Sequence, residues 1–315
     1  MTYVLALVVL ALALPWGAAW LVRRLAPLLP PREACWALTG AAVLMAGGTI
    51  AVLAGLFHVP FLASLERLPL AHVLEEWPAV VPTAGVAGVA LAVQLALVAR
   101  RWRKHRSLLK RAWRSTDEGV HDGDVLVVPG GEVDAFALPG HRRRPGRVVV
   151  TSGMVGALKP AEREVLLAHE RAHLAGRHHL LAAVVDLSAR VHPAVASLRK
   201  LLEFYLERWA DESAAIAVGN RKAVAEAIAR AALARAAQRR RPGTGYPVLS
   251  ATTGPVPQRV EALLLPRPTA PQGGARRAAA WGLMLTAALS MVAAVAVAYR
   301  LHEYVEYAAG AVLSG

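Results

Sequence analysis

His169-Glu170-Arg171-Ala172-His173 sits inside Pro160 to Gly176, a segment whose composition reads as one helix. Pro160 suits the first helical turn, and Glu162 and Glu164 favour the positive end of the helix dipole. Val165, Leu166, Leu167 and Ala168 make the following turn apolar, and Gly176 offers a stop after the second histidine. Residues four apart share one face of a helix, so both imidazoles can reach a single metal ion. The glutamate after the first histidine is then held beside the metal, where it can deprotonate a water bound there.

A zinc peptidase site also needs a third protein ligand and an open position for water. The candidates lie in Leu201-Leu202-Glu203-Phe204-Tyr205-Leu206-Glu207-Arg208-Trp209-Ala210-Asp211-Glu212. Glu207 and Asp211 are four apart and project to one side of a helix. One can bind the metal while the other accepts the spare N–H of a ligand histidine, fixing its tautomer. Glu203, one turn earlier, is the rival ligand. In isolation these acids would read as a solvated helix face. Their place after an H-E-x-x-H reverses that reading.

Hydrophobic residues make up 56% of the chain, and four uncharged runs are long enough to cross a hydrocarbon core of about 30 Å. They are Val4 to Val22, Cys35 to Phe57, Ala79 to Ala99 and Ala278 to Ala298. The first lacks a basic leader and is followed by Arg23-Arg24, so it reads as a retained helix rather than a cleaved signal. Basic residues gather after the first run (Arg23, Arg24, Arg32), after the third (Arg100 to Arg114) and before the fourth (Arg276-Arg277). The loop from His58 to Pro78 holds only Arg67 among its Lys and Arg residues, beside Glu66, Glu75 and Glu76. The positive-inside rule then puts both termini outside and the segment between the third and fourth spans in the cytoplasm.

The net charge of +14 comes without a zinc-finger, recognition-helix or RNA-binding signature, so no direct nucleic-acid binding is expected. Attraction to anionic lipid of the bilayer explains the juxtamembrane charge better. The single cysteine, Cys35, excludes an intrachain disulfide. Val120–Gly140 and Arg143–Gly153 alternate Gly or Pro with β-branched runs and predict a small sheet. Arg239 to Gly254 reads as an exposed loop. His178 and His179 fall on the far side of the helix or past its end, which predicts solvation or capping. Tyr205, His192 and Arg208 are candidate oxyanion stabilisers, and Trp209 is expected to pack on the active helix.

With these residues in view, His169-Glu170-x-x-His173 followed by Glu207-x-x-x-Asp211 resembles the gluzincin pattern of two groups of membrane peptidases. One holds the HtpX-like and CAAX prenyl endopeptidases. The other holds the BlaR/MecR-type antirepressor peptidases, peptidase family M fifty-six. Asp134 to Leu138 and Arg147 to Met154 resemble the paired strands before the active helix, and Pro257 to Leu263 is similar to a later P-x-x-R-I-x-x-L segment. The resemblance covers about residues 125–265. His178 departs from it, since many relatives carry Asp there. The receptors' penicillin-binding sensor has no counterpart in the tail Arg300 to Gly315.

The expected protein is therefore a polytopic α-helical membrane protein with four transmembrane helices and a mainly α, α+β gluzincin (zincin-like) metallopeptidase domain. Residues 1–99 carry three spans, 100–277 the cytoplasmic zinc metallopeptidase domain, and 278–315 the fourth span with a short external tail. His169, His173 and Glu207 are expected to hold one Zn2+, Glu170 to act as base, and Asp211 to orient a ligand histidine. Its partners are the lipid bilayer and a protein or peptide substrate, for example a cytoplasmic repressor, at the inner (plasma) membrane. HtpX-like quality control is the rival enzyme reading, and a signalling scaffold with a structural metal site the non-enzymatic one. Retention of Glu170 speaks against the scaffold, because a structural site needs no base.

Overall fold

A computed structural model describes residues 2–65, 78–116, 119–141, 143–239 and 256–266, with scattered residues between 274 and 303. Three long apolar helices come first: α1 (Thr2–Leu25), α2 (Pro31–Leu65) and α3 (Val80–Arg114). All three are long and apolar enough to cross a membrane. The helices outrun the apolar stretches seen in the sequence. At about 1.5 Å per residue, the 35 residues of α3 span about 52 Å, well beyond a core of about 30 Å. Its basic end, Arg100 to Arg114, therefore continues as helix rather than turning into a linker. The expected fourth span lies largely outside the described residues. Residues 291–297 within it are helical, and Ala294 and Val297 are buried with Val8, Val52 and Ala87 of the first three helices.

A four-stranded sheet follows: β1 (Val120–Asp122), β2 (Val125–Val128), β3 (Ala135–Leu138) and β4 (Arg147–Thr151). Its order is β1-β2-β4-β3, with β2 parallel to β4 and the other pairs antiparallel. Pairing of β3 with β4 is the strand pair expected from the sequence, and it leaves β3 at the edge. The two-residue period of a strand splits the apolar residues between two faces. Val125, Ala135, Val148 and Val150 face a cluster containing Met154, Leu158 and Leu166. Leu126, Leu138 and Val149 face Ala112 and Trp113 at the end of α3, and the Trp113 indole N–H donates to the Pro139 carbonyl (3.0 Å). Each fully buried side chain of this kind stabilises the fold by roughly 1.5–3 kcal/mol. The sheet is thus clamped between the third long helix and the helix bearing His169.

Seven helices lie between the sheet and residue 266: α4 (Ser152–Ala157), α5 (Pro160–Ala175), α6 (His178–Val191), α7 (Pro193–Ala196), α8 (Arg199–Val218), α9 (Arg221–Arg239) and α10 (Val256–Leu264). The sequence from 240 to 255, most of the expected exposed loop, lies outside the described residues. Helices α6 to α8 are embedded among the long ones. Leu181, Val185, Val195, Leu198 and Leu202 share one buried cluster with Ala18 and Val22 of α1 and Leu38 and Met45 of α2, which also takes in Cys35. Two polar contacts reinforce this packing: the Gln94 amide donates to the Val191 carbonyl (3.0 Å), and His192 Nε2 to the Leu12 carbonyl (3.1 Å). His192 Nδ1 in turn accepts from Ala194 N–H, capping α7 (3.2 Å). His192 is consequently a structural joint between α1 and the α6–α7 turn, not an oxyanion stabiliser.

Candidate metal centre

Helix α5 starts as its sequence requires. Pro160 takes the first turn, and the Glu162 carboxylate accepts from the backbone N–H of Lys159 (2.9 Å). Its buried face is Val165, Leu166, His169 and Glu170, which places the two polar residues one turn beyond the apolar anchor. The helix ends at Ala175, as Gly176 predicts, but Gly176 keeps a right-handed φ of −77°. Arg177, with φ 50°, makes the left-handed reversal instead. Facing α5, helix α8 buries Glu207 and Asp211 together with Leu202, Tyr205 and Ala210. A spacing of four residues on each helix aligns the two polar pairs across the interface.

Three of the expected residues converge. His169 Nε2 lies 3.1 Å from His173 Nε2, and the Glu207 carboxylate lies 3.6 Å from the first and 3.4 Å from the second. One donor atom from each lies within 4.8 Å of the others, so the group can hold a metal ion. Two nitrogens about 2.1 Å from a tetrahedral ion stand roughly 3.4 Å apart, close to this spacing. Asp211 sits behind the group, its carboxylate 3.0 Å from His169 Nδ1. Glu203 is only half-buried and is not part of the cluster, which separates it from Glu207. Glu170 is buried and lines the same cavity of about 600 Å³ as His169 and Glu207.

Arg259, on α10, is the residue that reading the sequence left without a role. It is 5% exposed and forms a two-pronged contact with Asp211 (2.8 and 2.7 Å) and a third with Glu207 (2.8 Å). Burial disfavours charge on Glu207, but His169, His173 and Arg259 close around it hold its pKa well below the usual carboxylate range. Asp211 is held low in the same way, first by Arg259 and then by His169, against the cost of burial. Burial also opposes charge on His169, yet Asp211 and Glu207 override it and push its pKa up to about 10. His173 goes the other way: burial brings it down to about 4. The only hint in the sequence was the P-x-x-R segment itself, which contains Arg259.

Two further expectations need correction. His178 is neither solvated nor a surface cap: it is 3% exposed, and its Nδ1 lies 2.8 Å from Nδ1 of His173. The chain reversal at Arg177 swings α6 back so that its first residue faces the end of α5. Trp209 lies against the His178 ring at the start of α6, with centroids 4.5 Å apart. Tyr205 and Arg208 do not line the cavity that contains His169 and Glu170. They border a separate groove between α8 and the α1–α2 loop, and Arg208 is engaged by Glu212 (3.7 Å).

Fold and site together define a membrane-associated metallopeptidase architecture, with a His–His–carboxylate cluster between two helices under a small sheet. The model of peptidase family M48 matches residues 103–266, more than half of the chain, and the protein belongs to that family. The sequence had drawn attention to a different family, the antirepressor peptidases of family M fifty-six, and this match does not confirm that assignment. Comparison with curated proteins and with solved structures gave no match.

Proposed function

We propose that the protein is a membrane-embedded zinc endopeptidase in which His169, His173 and Glu207 hold one Zn2+. The observation that carries this reading is the convergence of two imidazole Nε2 atoms and one carboxylate at 3.1–3.6 Å. Nitrogen and carboxylate donors in this number suit a catalytic zinc site with room for water and substrate. When bound, zinc supplies Lewis-acid chemistry, polarising the scissile carbonyl and making water acidic near neutral pH. Glu170 takes the proton of the attacking water and returns it to the leaving amine. Asp211, 3.0 Å from His169 Nδ1, is placed to take the N–H of that nitrogen, so that Nε2 would face the metal once the metal displaces its proton. Arg259 keeps Glu207 and Asp211 ionised in a buried setting. Substrate backbone pairs with the open edge of β3, beside α5, so cleavage depends little on most side chains. The apolar walls of the cavity, including Leu166, Ile228 and Val260, favour an apolar residue next to the scissile bond.

The expected physiological setting is an inner-membrane, multi-pass protein with residues 100–277 cytoplasmic between the third and fourth spans and both termini outside. Regulatory proteolysis, for example of a cytoplasmic repressor, is then possible for the enzyme. Quality control of membrane proteins is the second reading, favoured by the packing of α6 to α8 directly on α1 and α2. Reporter fusions after Gly153 should show cytoplasmic activity; external activity there would eliminate repressor cleavage. Glu170→Gln should retain zinc by elemental analysis while peptide cleavage falls by about 10²–10⁴-fold or more. Cleavage by that variant at the parent rate would sink the proposed base. Comparing proteomes with and without the same inactive variant would separate a single regulatory substrate from many misfolded ones.

A further inference from the structure

His178 is buried against the centre yet takes no part in the chemistry just described. Its Nδ1 lies 2.8 Å from Nδ1 of His173, on the side of that ring away from Nε2. His173 Nε2 faces His169 Nε2 (3.1 Å) and Glu207 (3.4 Å). If Nε2 is to offer its lone pair to a metal, the proton of neutral His173 must sit on Nδ1. Two Nδ1 atoms at hydrogen-bond distance need one donor and one acceptor, so His178 Nδ1 must accept. The proton of His178 then sits on its own Nε2, which has no hydrogen-bond partner among the described residues. A ring with one nitrogen accepting and the other without a partner is held as the neutral tautomer.

We propose that His178 is a positioning residue for His173, doing with an imidazole what Asp211 does for His169 with a carboxylate. The inference rests on the zinc reading of the centre. Three features hold the His178 ring where it can accept. It begins α6, directly after the left-handed turn at Arg177. The Trp209 ring covers it at 4.5 Å. On the other side is Gly176, where a Cβ would lie 2.4 Å from His178 Nε2, so any larger residue would push the ring from its place. That contact, rather than backbone conformation, is why glycine is needed at position 176. A neutral acceptor makes a weaker hydrogen bond than a carboxylate. The two histidine ligands are therefore unequal: His169 is the more electron-rich, and His173 is fixed in direction with less charge donated to the metal.

The test is zinc affinity of the full-length protein in detergent, measured by competition with a chromophoric chelator, alongside the visible spectrum of the cobalt(II)-loaded form. His178→Leu fills the space without an acceptor; His178→Asn places Oδ1 where Nδ1 now accepts. We expect His178→Leu to bind zinc about 10–100-fold more weakly and to shift the cobalt bands, while His178→Asn stays within about threefold of the parent. Equal affinity of parent and His178→Leu would overturn the inference. Equal weakening of both variants would also overturn it, since loss of ring packing rather than of the acceptor would then be the cause. A parent protein that takes up no zinc would remove the zinc reading itself, and this inference with it.

Discussion

Two buried carboxylate networks lie at opposite ends of α6, and their charge balance is opposite. At the start of the helix, Glu207 and Asp211, with Glu170 buried beside them, face one guanidinium, Arg259, and one imidazolium, His169, so the formal surplus is one negative charge. At its far end a single carboxylate, Asp186, faces Arg101, His105 (2.9 Å), Arg190 (3.5 Å) and Arg199 (3.0 Å). Its three arginines against one aspartate leave a formal surplus of two positive charges. If a metal ion displaces the His169 proton, the first network is short of cations by the charge of one divalent ion, and both histidines then offer lone pairs inward. The second has nothing to offer a metal. It bolts α3, α6 and α8 together where the basic end of the third long helix leaves the apolar run. Burial of acids alone therefore says little about function; the sign of the local imbalance separates the candidate metal centre from the structural joint.

The largest break in this contrast should come from Glu207→Ala. With only two protein ligands left, zinc binding should fall by orders of magnitude in equilibrium dialysis, whereas Glu203→Ala should keep most of it. The reverse pattern would move the ligand one helical turn.

Arg259→Met comes next. It leaves Asp211 and Glu207 buried without their cation, a change that costs about 3–5 kcal/mol in comparable buried pairs. Chemical unfolding of the metal-free protein should show this loss, and added zinc should recover part of it, because a dication replaces the missing charge. A metal-free variant as stable as the parent would show that Arg259 is not needed to balance the acids.

Asp186→Asn should have the smallest effect, roughly 1–2 kcal/mol, because the arginines around it remain about one-quarter to one-third exposed and partly solvated. Its signature is pH dependence. Burial raises the Asp186 pKa, but Arg101, His105 and Arg199 outweigh it and hold the pKa below the usual value. A depressed folded-state pKa means that the stabilisation is present above the unfolded value of about 3.9 and is lost as pH falls through the folded value. The thermal midpoint of the parent should therefore drop on acidification below about pH 4 by more than that of Asp186→Asn. Identical acid profiles would mean that the joint does not depend on this carboxylate.

Much of the centre was legible because helical periodicity is a local rule. His169 with His173, and Glu207 with Asp211, each lie one turn apart, and a helix puts such pairs on one face whatever surrounds it. The residues that escaped are joined to the site by no such period. Arg259 reaches Asp211 from 48 positions along the chain, on a different helix. His178 is only five positions past His173, but a left-handed residue intervenes. Extrapolating the helix beyond Ala175 aims its side chain outward; the actual turn aims it back.

The fold divides along the same line. The apolar runs determined that long helices would form, since length and hydrophobicity suffice to specify a span. The β-branched runs likewise determined strands, and the H-E-x-x-H spacing determined which helix carries the paired histidines. Tertiary structure alone decided that α6 to α8 lie against α1 and α2, that β3 is an edge of the described sheet beside α5, and that Arg259 pairs with Asp211 and Glu207 at the centre. These are contacts between segments distant in sequence, set by which apolar faces and charges can be satisfied together, and a one-dimensional pattern carries no record of that competition.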